Sequence, residues 1–318
     1  MHHAEIGKLL EDIEVQVLAG ASSFGLLGRS SATLALVDWF GRFAPGVELT
    51  IFGDREGLGW ANAQVEDLAR LVEIKPTVVV IAEDAGKEDL LRAALPYLEY
   101  APRLIVSGYQ HLTFRDATFE ALVDGLLVPS IANGYPNSLI HLYQCLENAS
   151  RLGLQGAVAE FGVFKGGTTM FLARAVRGLG RFWPVIGFDS FTGFPPRRSA
   201  LDMYDHPGAE FHDYESVARY LSPENVELVS GDIVLTAPRL QTEDLVLSFI
   251  DTDNFSSAAA AIEVVAERTL VGGAIVFDHY AGVDRFRYTL GERMAAQSLL
   301  ADSRYFNLHS TGVFLRQK

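Results

Sequence analysis

The sequence predicts an α/β protein built from two Rossmann-like domains with parallel sheets. Short apolar segments typical of buried strands alternate with amphipathic helical segments, as in a sheet that helices cover on both faces. This alternation occurs twice along the chain and is interrupted once, near the middle. A length of 318 residues, with 49% hydrophobic and 21% charged residues, is sufficient for two separate cores.

The first series spans residues 1–112 and predicts a degenerate Rossmann-like N-terminal domain. Its strands are predicted at Glu14–Gly20, Glu48–Asp54, Thr77–Ala82 and Arg103–Gly108. Its helices are predicted at Ala32–Phe43, Gln64–Glu73 and Lys87–Tyr97. The segment Gly20–Gly25 follows the first predicted strand, as a nucleotide-binding turn does, but its glycine spacing is not G-x-G-x-x-G. We therefore favour a scaffold over a bound nucleotide or nucleotide sugar.

Residues 113–136 interrupt the alternation and predict a linker, since Pro129, Gly134 and Pro136 punctuate a segment without clear periodicity. The second series, residues 137–318, opens with a helix at 137–152 that Asn137 or Ser138 caps. Its further helices are predicted near 168–177, 215–221, 257–269 and 285–299. Its strands are predicted at Gly156–Gly162, Pro184–Asp189, Val226–Ser230, Leu245–Asp251 and Gly273–Asp278, before a closing hairpin at Tyr305–Leu308 and Thr311–Arg316.

The composition argues against several classes of binding partner. A net charge of −14 argues against nucleic acid, because binding to phosphates requires clustered lysine and arginine. The apolar runs are too short to cross a membrane, and the first residues lack the features of a signal peptide. The single cysteine, Cys145, cannot form an internal disulfide and fits a reducing cytoplasm. We expect a cytoplasmic protein that acts on a small molecule.

Carboxylates mark the ends of several strands in the second series. Asp189, Asp251 and Asp278 each end a predicted strand, and Asp253 follows shortly after. Because ligands bind beyond the carboxyl ends of the strands in an open parallel sheet, we expect these side chains to converge. A buried carboxylate is costly without a partner. The pattern therefore predicts a ligand, a cation, or both at this edge.

A glycine-rich loop adds to this pattern. Gly162 and Gly166 lie in the turn from the first strand of the second series into its helix, where they allow close approach of the backbone to a ligand. Alone, such a turn is common. A carboxylate at the end of the next strand, Asp189, can accept hydrogen bonds from both hydroxyls of a ribose. Together they indicate a bound nucleoside.

The motifs of the second series resemble those of the macrocin O-methyltransferase family, which methylates sugar hydroxyls on macrolides and related natural products. The resemblance covers residues 137–318 and rests on four segments, namely AEFGVFKGGTTMFLARAV, GFDSFTGFP, FIDTDNF and LVGGAIVFDHY. It implies a class I methyltransferase fold for this domain and S-adenosylmethionine as the methyl donor. It also implies a divalent metal, usually magnesium, a sugar or other secondary metabolite as acceptor, and a homo-oligomer.

The resemblance also assigns roles to matching residues. Asp189 would bind the ribose of the cofactor, and Asp251, Asp278 and the residue after it, His279, occupy the metal-ligand positions. The cofactor positions, from the methionine end to the adenine, are Glu160, Gly162, Asp189, Ser190, Phe191, Gly231 and Asp232. Coordination to the metal would acidify an acceptor hydroxyl, which then attacks the methyl group in line.

His279 departs from the family pattern, which has Asp-Asp-Tyr where this chain has Asp278-His279-Tyr280. It would be a nitrogen ligand that shifts preference from Mg²⁺ toward Mn²⁺, Fe²⁺, Ni²⁺ or Zn²⁺. Alternatively, it would be a general base in a site without metal, or simply a packed histidine. In each case Asp253 is a further metal ligand or a carboxylate that supports the site.

The long loop Phe194–Tyr214 predicts a lid over the acceptor, because its length and aromatic content exceed those of a simple connection. The residues expected to contact the acceptor are Arg197, Arg198, His206 and His212. A weaker expectation is that the segment just before the second domain covers the cofactor, through Asn133, Tyr135 and Asn137.

The sequence is compatible with three functional hypotheses. The leading hypothesis is an enzyme that transfers a methyl group from S-adenosylmethionine to a hydroxyl, with His279, Asp251 and Asp253 in the catalytic centre. The second is a metal-independent N- or C-methyltransferase with His279 as general base. The third is a non-enzymatic nucleotide-binding protein, although such a sensor does not require the pair Asp251 and Asp278.

Overall fold

The computed structural model describes residues 3–53, 65–83, 86–108, 114, 116–204, 213–282 and 286–318. The chain divides into two compact units, residues 1–113 and 114–318. Each unit is built on a sheet of mostly parallel strands with helices, so the predicted α/β class with two parallel-sheet units is confirmed. Among the described residues, no helix has the length and apolar character needed to span a membrane.

The first unit contains a five-stranded sheet in the order β3-β2-β1-β4-β5, with every pair parallel. Its strands are β1 (Ser23–Leu27), β2 (Glu48–Gly53), β3 (Val65–Asp67), β4 (Val78–Ile81) and β5 (Arg103–Val106). Its helices are α1 (His3–Leu18), α2 (Ser31–Phe43), α3 (Leu71–Ile74) and α4 (Lys87–Ala94).

The predicted first strand, Glu14–Gly20, is wrong, because these residues belong to the end of α1 and the turn after it. Leu9 and Ile13, four residues apart, are buried on one face of the helix, whereas Val15 is 58% exposed. The glycine segment therefore runs from the helix into β1. It is not a turn between a strand and a helix. That turn lies at 28–30, where the side chain of Ser30 accepts a hydrogen bond from the backbone N–H of Thr33 and caps α2.

The predicted helix Gln64–Glu73 is wrong over its first residues, whereas residues 68–73 are helical as expected. Val65–Asp67 forms strand β3 beside β2, and one turn of 3₁₀ helix leads into the short α3. The Asp67 carboxylate accepts a hydrogen bond from the N–H of Ala69, which starts this turn directly after the strand. Asp54 and Gln64 lie outside the described residues.

The second unit carries a seven-stranded sheet in the order β11-β12-β10-β9-β6-β7-β8. Its strands are β6 (Ala157–Phe161), β7 (Val185–Asp189), β8 (Val226–Ser230), β9 (Leu245–Ile250), β10 (Thr269–Phe277), β11 (Tyr305–Asn307) and β12 (Val313–Arg316). Its helices are α5 (Ala117–Asp124), α6 (Ser138–Arg151), α7 (Gly167–Gly178), α8 (Tyr214–Leu221), α9 (Ile233–Thr236), α10 (Phe255–Arg268), α11 (Phe286–Ala295) and α12 (Gln297–Ala301).

The strand order of the second unit reverses between β6 and β9. Strands β6 to β10 are parallel, while β12 pairs antiparallel with β10 and with β11, which confirms the predicted closing hairpin. The reversal creates a crevice beyond the carboxyl ends of β6 and β9, where open α/β sheets bind their ligands. The predicted cap of α6 is confirmed, since the side chain of Asn137 accepts the N–H of Ile140.

Two predicted elements of this unit differ in detail. Strand β10 begins at Thr269, four residues earlier than expected. Thr269 already pairs with Leu245 of β9, and the register between the two strands shifts before Ala274. The helix expected at 285–299 is broken into α11 and α12, and the short α9 was not predicted. The segment predicted as a linker contains α5, whose Phe119 is buried against Phe171 at 5.8 Å between ring centroids. This segment is thus packed on the second unit.

Apolar clusters lie on both faces of the large sheet. Phe161 and Phe188 stack on one face at 4.9 Å, and Leu142, Phe171 and Phe249 pack together on the other. Such burial on both faces fixes the strands and therefore the positions of the residues at their ends.

Cys145 on α6 packs against the second of these clusters, as the sequence predicted for a core thiol. Burial raises the pKa of its thiol to about 12, which does not suit a nucleophile.

Candidate active site

A cleft of about 630 Å³ opens at the carboxyl ends of the central strands of the second unit. It lies where the strand order reverses, and residues that follow β6, β7, β9 and β10 line it. The predicted site residues that line the cleft are Gly162, Asp189, Ser190, Asp232, Asp251, Asp253, Asp278 and His279. The predicted site residues outside this lining are Glu160, Gly166, Phe191 and Gly231.

Glycine is required in the turn after β6. Gly162 has a φ of +100°, and a Cβ there would collide with the backbone carbonyl of Asp251. The loops that follow β6 and β9 can therefore approach each other only without a side chain at residue 162. Gly166, with a φ of +81°, then leads into α7. The loop places the Asp251 backbone next to the glycine turn.

Asp189, the last residue of β7, is held in a fixed orientation at the cleft. One carboxylate oxygen accepts the backbone N–H of Phe164 and the other accepts that of Phe191, both at 2.8 Å. Because a carboxylate has about four lone-pair sites, each oxygen retains capacity for a further donor. The side chain can thus accept hydrogen bonds from two hydroxyls of a ligand.

Glu160 lies on β6 and is fully buried. Neither carboxylate oxygen has a hydrogen-bond partner among the described residues. Burial raises the pKa of Glu160 well above its ordinary value; the nearby Thr169 hydroxyl opposes this shift, whereas the charges of Asp251 and Asp189 add to it. A buried carboxyl without partners is unfavourable, and a cationic or hydrogen-bond-donating ligand would relieve it.

An ion pair connects the loops that follow β7 and β8. One oxygen of Asp232 accepts the N–H of Val234 and caps α9, and the other pairs with the guanidinium of Arg198 at 2.5 Å. Phe191 is buried edge-to-face against Tyr214 and is not available to stack on a ligand. Its contribution to the site is the N–H that orients the carboxylate of β7.

His279 is surrounded by carboxylates. Its Nδ1 lies 3.4 Å from Oδ1 of Asp251, 3.4 Å from Oδ1 of Asp253 and 3.7 Å from Oδ2 of Asp278. The nitrogen is buried and has no hydrogen-bond partner among the described residues. These separations are too long or too poorly aligned for good hydrogen bonds.

The same separations fit the edges of a coordination polyhedron. Metal–ligand bonds of about 2.0 to 2.2 Å place neighbouring ligand atoms roughly 3.0 to 3.5 Å apart. One ligand atom each of Asp251, Asp278 and His279 lies within 4.8 Å of the others. The orphaned Nδ1 and the oxygen donors therefore fit a divalent metal.

The electrostatics of the cluster also favour a cation. Burial lowers the pKa of His279, but Asp251, Glu292 and Asp253 outweigh burial and raise it to about 10. Burial and the charge of Asp278 raise the pKa of Asp251 well above its ordinary value. This raised pKa disfavours the neutral imidazole that a general base requires near neutral pH.

Asp278 is oriented by the segment that leads into α6. One oxygen accepts the N–H of Gly134 at 2.8 Å and the hydroxyl of Ser138 at 2.5 Å, and the other accepts the N–H of Asn133 at 3.1 Å. Of the residues expected to cover the cofactor, Asn133 lines the cleft and Asn137 caps α6. Tyr135 is 42% exposed and is not among the lining residues.

Sequence reasoning missed Glu292, a fully buried residue on α11. Its carboxylate accepts the backbone N–H groups of Thr252, Asp253 and His279 at 2.7 to 2.9 Å. Burial raises the pKa of Glu292 to about 7. A signal for it existed in the predicted helix 285–299, where Glu292 has helical spacing from Ala296 and Leu299, both of which are buried. A carboxylate on an apolar face indicates a buried partner.

The described part of the predicted lid, residues 194–204, is anchored on the start of α10. The buried carboxylate of Asp202 accepts hydrogen bonds from the N–H groups of Arg198, Ser199 and Ser256 and from the Ser256 hydroxyl. Although burial opposes it, these bonds lower the pKa of Asp202. Arg197 is exposed, and His206 and His212 lie outside the described residues.

Two aromatic side chains of this loop line the cleft beside His279. The ring of Tyr204 lies 6.4 Å from the imidazole and 5.9 Å from the ring of Phe194. Its backbone N–H donates to Asn254, and the side-chain amide of Asn254 donates back to its carbonyl. The rings form a fixed wall next to the carboxylates.

Comparison with known proteins identifies related sequences. The family model of macrocin O-methyltransferase (TylF) matches residues 133–317. The 8-demethyl-8-(2,3-dimethoxy-alpha-L-rhamnosyl)-tetracenomycin-C 4'-O-methyltransferase of Streptomyces olivaceus is 28% identical over 214 residues, which cover 58% of this chain and 79% of that protein. The mycinamicin III 3''-O-methyltransferase of Micromonospora griseorubida is 26% identical over 211 residues, 60% of this chain and 82% of that protein. Among solved structures, the O-methyltransferase NovP is similar over 65% of this chain and 90% of that chain, with a TM-score of 0.45 and 19% identity.

Proposed function

Because the chain belongs to the macrocin O-methyltransferase family, and is thus an S-adenosylmethionine-dependent O-methyltransferase, we propose that it methylates a hydroxyl on a sugar of a natural product. The relative from Streptomyces olivaceus is named as a 4'-O-methyltransferase of a rhamnosyl-tetracenomycin, and the relative from Micromonospora griseorubida as a 3''-O-methyltransferase of mycinamicin III. The observation that carries the proposal is the cleft, with a carboxylate oriented for a ribose at Asp189 and a carboxylate–imidazole cluster around His279.

We assign the nucleoside half of the cofactor to the residues after β6, β7 and β8. Asp189 would accept both ribose hydroxyls with the lone pairs that its backbone partners leave available. Asp232 and the backbone of Gly231 would lie beside the adenine, while Ser190 and Phe191 hold the turn under the ribose. The open turn at Gly162 and Gly166 lets the backbone approach the cofactor closely.

Glu160 would bind the methionine half of S-adenosylmethionine. Its buried carboxyl has no hydrogen-bond partner in the part of the chain that the structure describes, and the α-ammonium of S-adenosylmethionine carries the positive charge that would satisfy it. Binding of this ammonium would favour the ionised form of a group whose pKa burial raises. The sulfonium would then lie between Glu160 and the cluster at His279.

Asp251, Asp278 and His279 would hold a divalent metal, with Asp253 beside them. A metal bound there supplies Lewis acidity that lowers the pKa of an acceptor hydroxyl. The nitrogen of His279 among oxygen donors favours Mn²⁺, Fe²⁺, Ni²⁺ or Zn²⁺ over Mg²⁺. Asp253 would accept the proton that the acceptor hydroxyl loses. A metal-free mechanism with His279 as base is disfavoured, since its carboxylate neighbours keep it protonated.

The acceptor would lie against the aromatic wall of Phe194 and Tyr204. The apolar C–H face of a sugar packs well on such rings, and the wall lies beside His279, where the hydroxyl must react. Asp202 and Asn254 fix the loop, so the wall excludes water from one side without a conformational change.

The test is methyl transfer by the purified chain with S-adenosylmethionine and mycinamicin III, followed by mass spectrometry of the product. We expect a singly methylated sugar, loss of activity after treatment with EDTA, and recovery with Mn²⁺. A protein that binds S-adenosylhomocysteine but methylates no glycoside contradicts the proposed acceptor. Full activity in EDTA contradicts the proposed metal but does not contradict S-adenosylmethionine as the methyl donor.

A further inference from the structure

One side chain connects the backbones of the loops after β9 and β10, which carry the carboxylate–imidazole cluster around His279. Glu292 on α11 is fully buried, and its Oε1 accepts the N–H groups of Thr252 at 2.7 Å and Asp253 at 2.9 Å. Its Oε2 accepts the N–H of His279 at 2.9 Å. Thus each carboxylate oxygen holds a different loop, one after β9 and one after β10.

These three N–H groups belong to the residues that present the ligands. Thr252 directly follows Asp251, and His279 directly follows Asp278. Hydrogen bonds from backbone to a carboxylate are strong and geometrically specific, so the bridge fixes the distance between the two loops. A change at Glu292 would shift ligand atoms that must keep separations near 3.4 Å.

Glu292 is not itself a member of the cluster. Its nearest oxygen lies 4.0 Å from Nδ1 of His279, and both oxygens already receive hydrogen bonds. Removal of the carboxylate would leave three backbone donors without their acceptor, and all three are directed at a side chain that is itself fully buried. Glu292 therefore acts on the cluster in two ways, through its charge near His279 and through the backbone of both loops.

We infer that Glu292 is a positioning residue that sets the geometry, and hence the affinity, of the proposed metal site by clamping the loops after β9 and β10. This inference rests on the metal proposed above. Carboxylates that orient metal ligands from outside the coordination sphere typically change metal affinity about tenfold to hundredfold when they are replaced.

The test compares Glu292→Gln with Glu224→Gln. The first variant keeps the size of the side chain but replaces one acceptor oxygen by an amide N–H₂, which cannot accept an N–H from a loop. The second is a matched control, because the Glu224 side chain is only 5% exposed and pairs with Arg177, outside the cleft lining. Each protein is titrated with Mn²⁺, followed by electron paramagnetic resonance, and with S-adenosylhomocysteine, followed by calorimetry. Thermal unfolding is measured in parallel.

We expect Glu292→Gln to weaken Mn²⁺ binding about tenfold or more, with little change in S-adenosylhomocysteine affinity, and Glu224→Gln to lower the melting temperature alone. Equal Mn²⁺ affinity in wild type and Glu292→Gln overturns the inference. A variant whose affinities for Mn²⁺ and S-adenosylhomocysteine both fall in proportion to its loss of stability overturns it as well. Glu292→Asp keeps the charge but shortens the reach, so it must also weaken Mn²⁺ binding, and unchanged Mn²⁺ affinity in this variant overturns the inference. Wild-type protein that binds no Mn²⁺ overturns the metal site first, and this inference with it.

Discussion

Replacement of Asp189 by asparagine tests the proposed ribose contact with the smallest change in shape. The aspartate oxygens accept the N–H groups of Phe164 and Phe191. Asparagine keeps one acceptor and turns an amide N–H₂ toward the other donor, so one hydrogen bond to a charged group is lost. Such a bond contributes about 2 kcal/mol to stability. For a unit of this size, each kcal/mol corresponds to roughly 2–4 °C, so we expect the melting temperature to fall by about 4–8 °C.

The same substitution should also weaken binding of the cofactor. A ribose hydroxyl that donates to a carboxylate contributes about 1.5–3 kcal/mol, which corresponds to roughly 10- to 100-fold in the Kd of S-adenosylhomocysteine. Calorimetry at a temperature well below unfolding measures this change. The matched control is Asp244→Asn, at the opposite end of β9, where an exposed pair with Arg268 contributes less than about 1 kcal/mol. Unchanged affinity in Asp189→Asn would refute the placement of the ribose.

Further predictions follow from single features. Gly162→Ala forces a Cβ into the Asp251 carbonyl and should lower stability by more than about 2 kcal/mol in denaturant unfolding, whereas Gly153→Ala, at a φ of +71° with open space, should cost about 1 kcal/mol. After removal of metal, Mn²⁺ should restore methyl transfer at a lower concentration than Mg²⁺ does, and a stronger effect of Mg²⁺ argues against His279 as a ligand. Because burial raises the pKa of Cys145 to about 12, the thiol stays neutral in the fold near pH 8, and iodoacetamide should modify it only after unfolding, as mass spectrometry will detect. Its raised pKa also means that the unfolded chain ionises first, so this group should reduce stability as the pH rises above about 9.

The sequence predicted the second unit far better than the first. Its central strands β6 and β9 are mostly apolar and are bounded by Asp or Gly, which is the pattern typical of parallel strands buried on both faces. In the first unit, the segment EVQVLAG alternates over a few residues and imitates a strand. The buried Leu9 and Ile13 upstream show that the real period is helical. The short window hid that period.

The candidate site was predictable only where chain position determines spatial position. Asp189, Asp251 and Asp278 follow strands, and the ends of parallel strands must meet at one edge. Glu292 comes from a helix whose packing the local pattern does not specify, and its partners are backbone groups that the sequence cannot display. The same holds for Ser138, which reaches Asp278 across 140 residues of chain. Sequence motifs identify strand ends, whereas long-range hydrogen bonds require the fold.

The hydrogen bonds to Asp278 also decide where a working fragment of this enzyme can begin. A fragment trimmed to residue 137 keeps every strand of the large sheet but removes Asn133 and Gly134, which donate to both oxygens of that carboxylate. Such a shortened protein would hold that aspartate through the Ser138 hydroxyl alone. A fragment that keeps both backbone donors and the intact α5 starts at or before Asp116, the cap of α5.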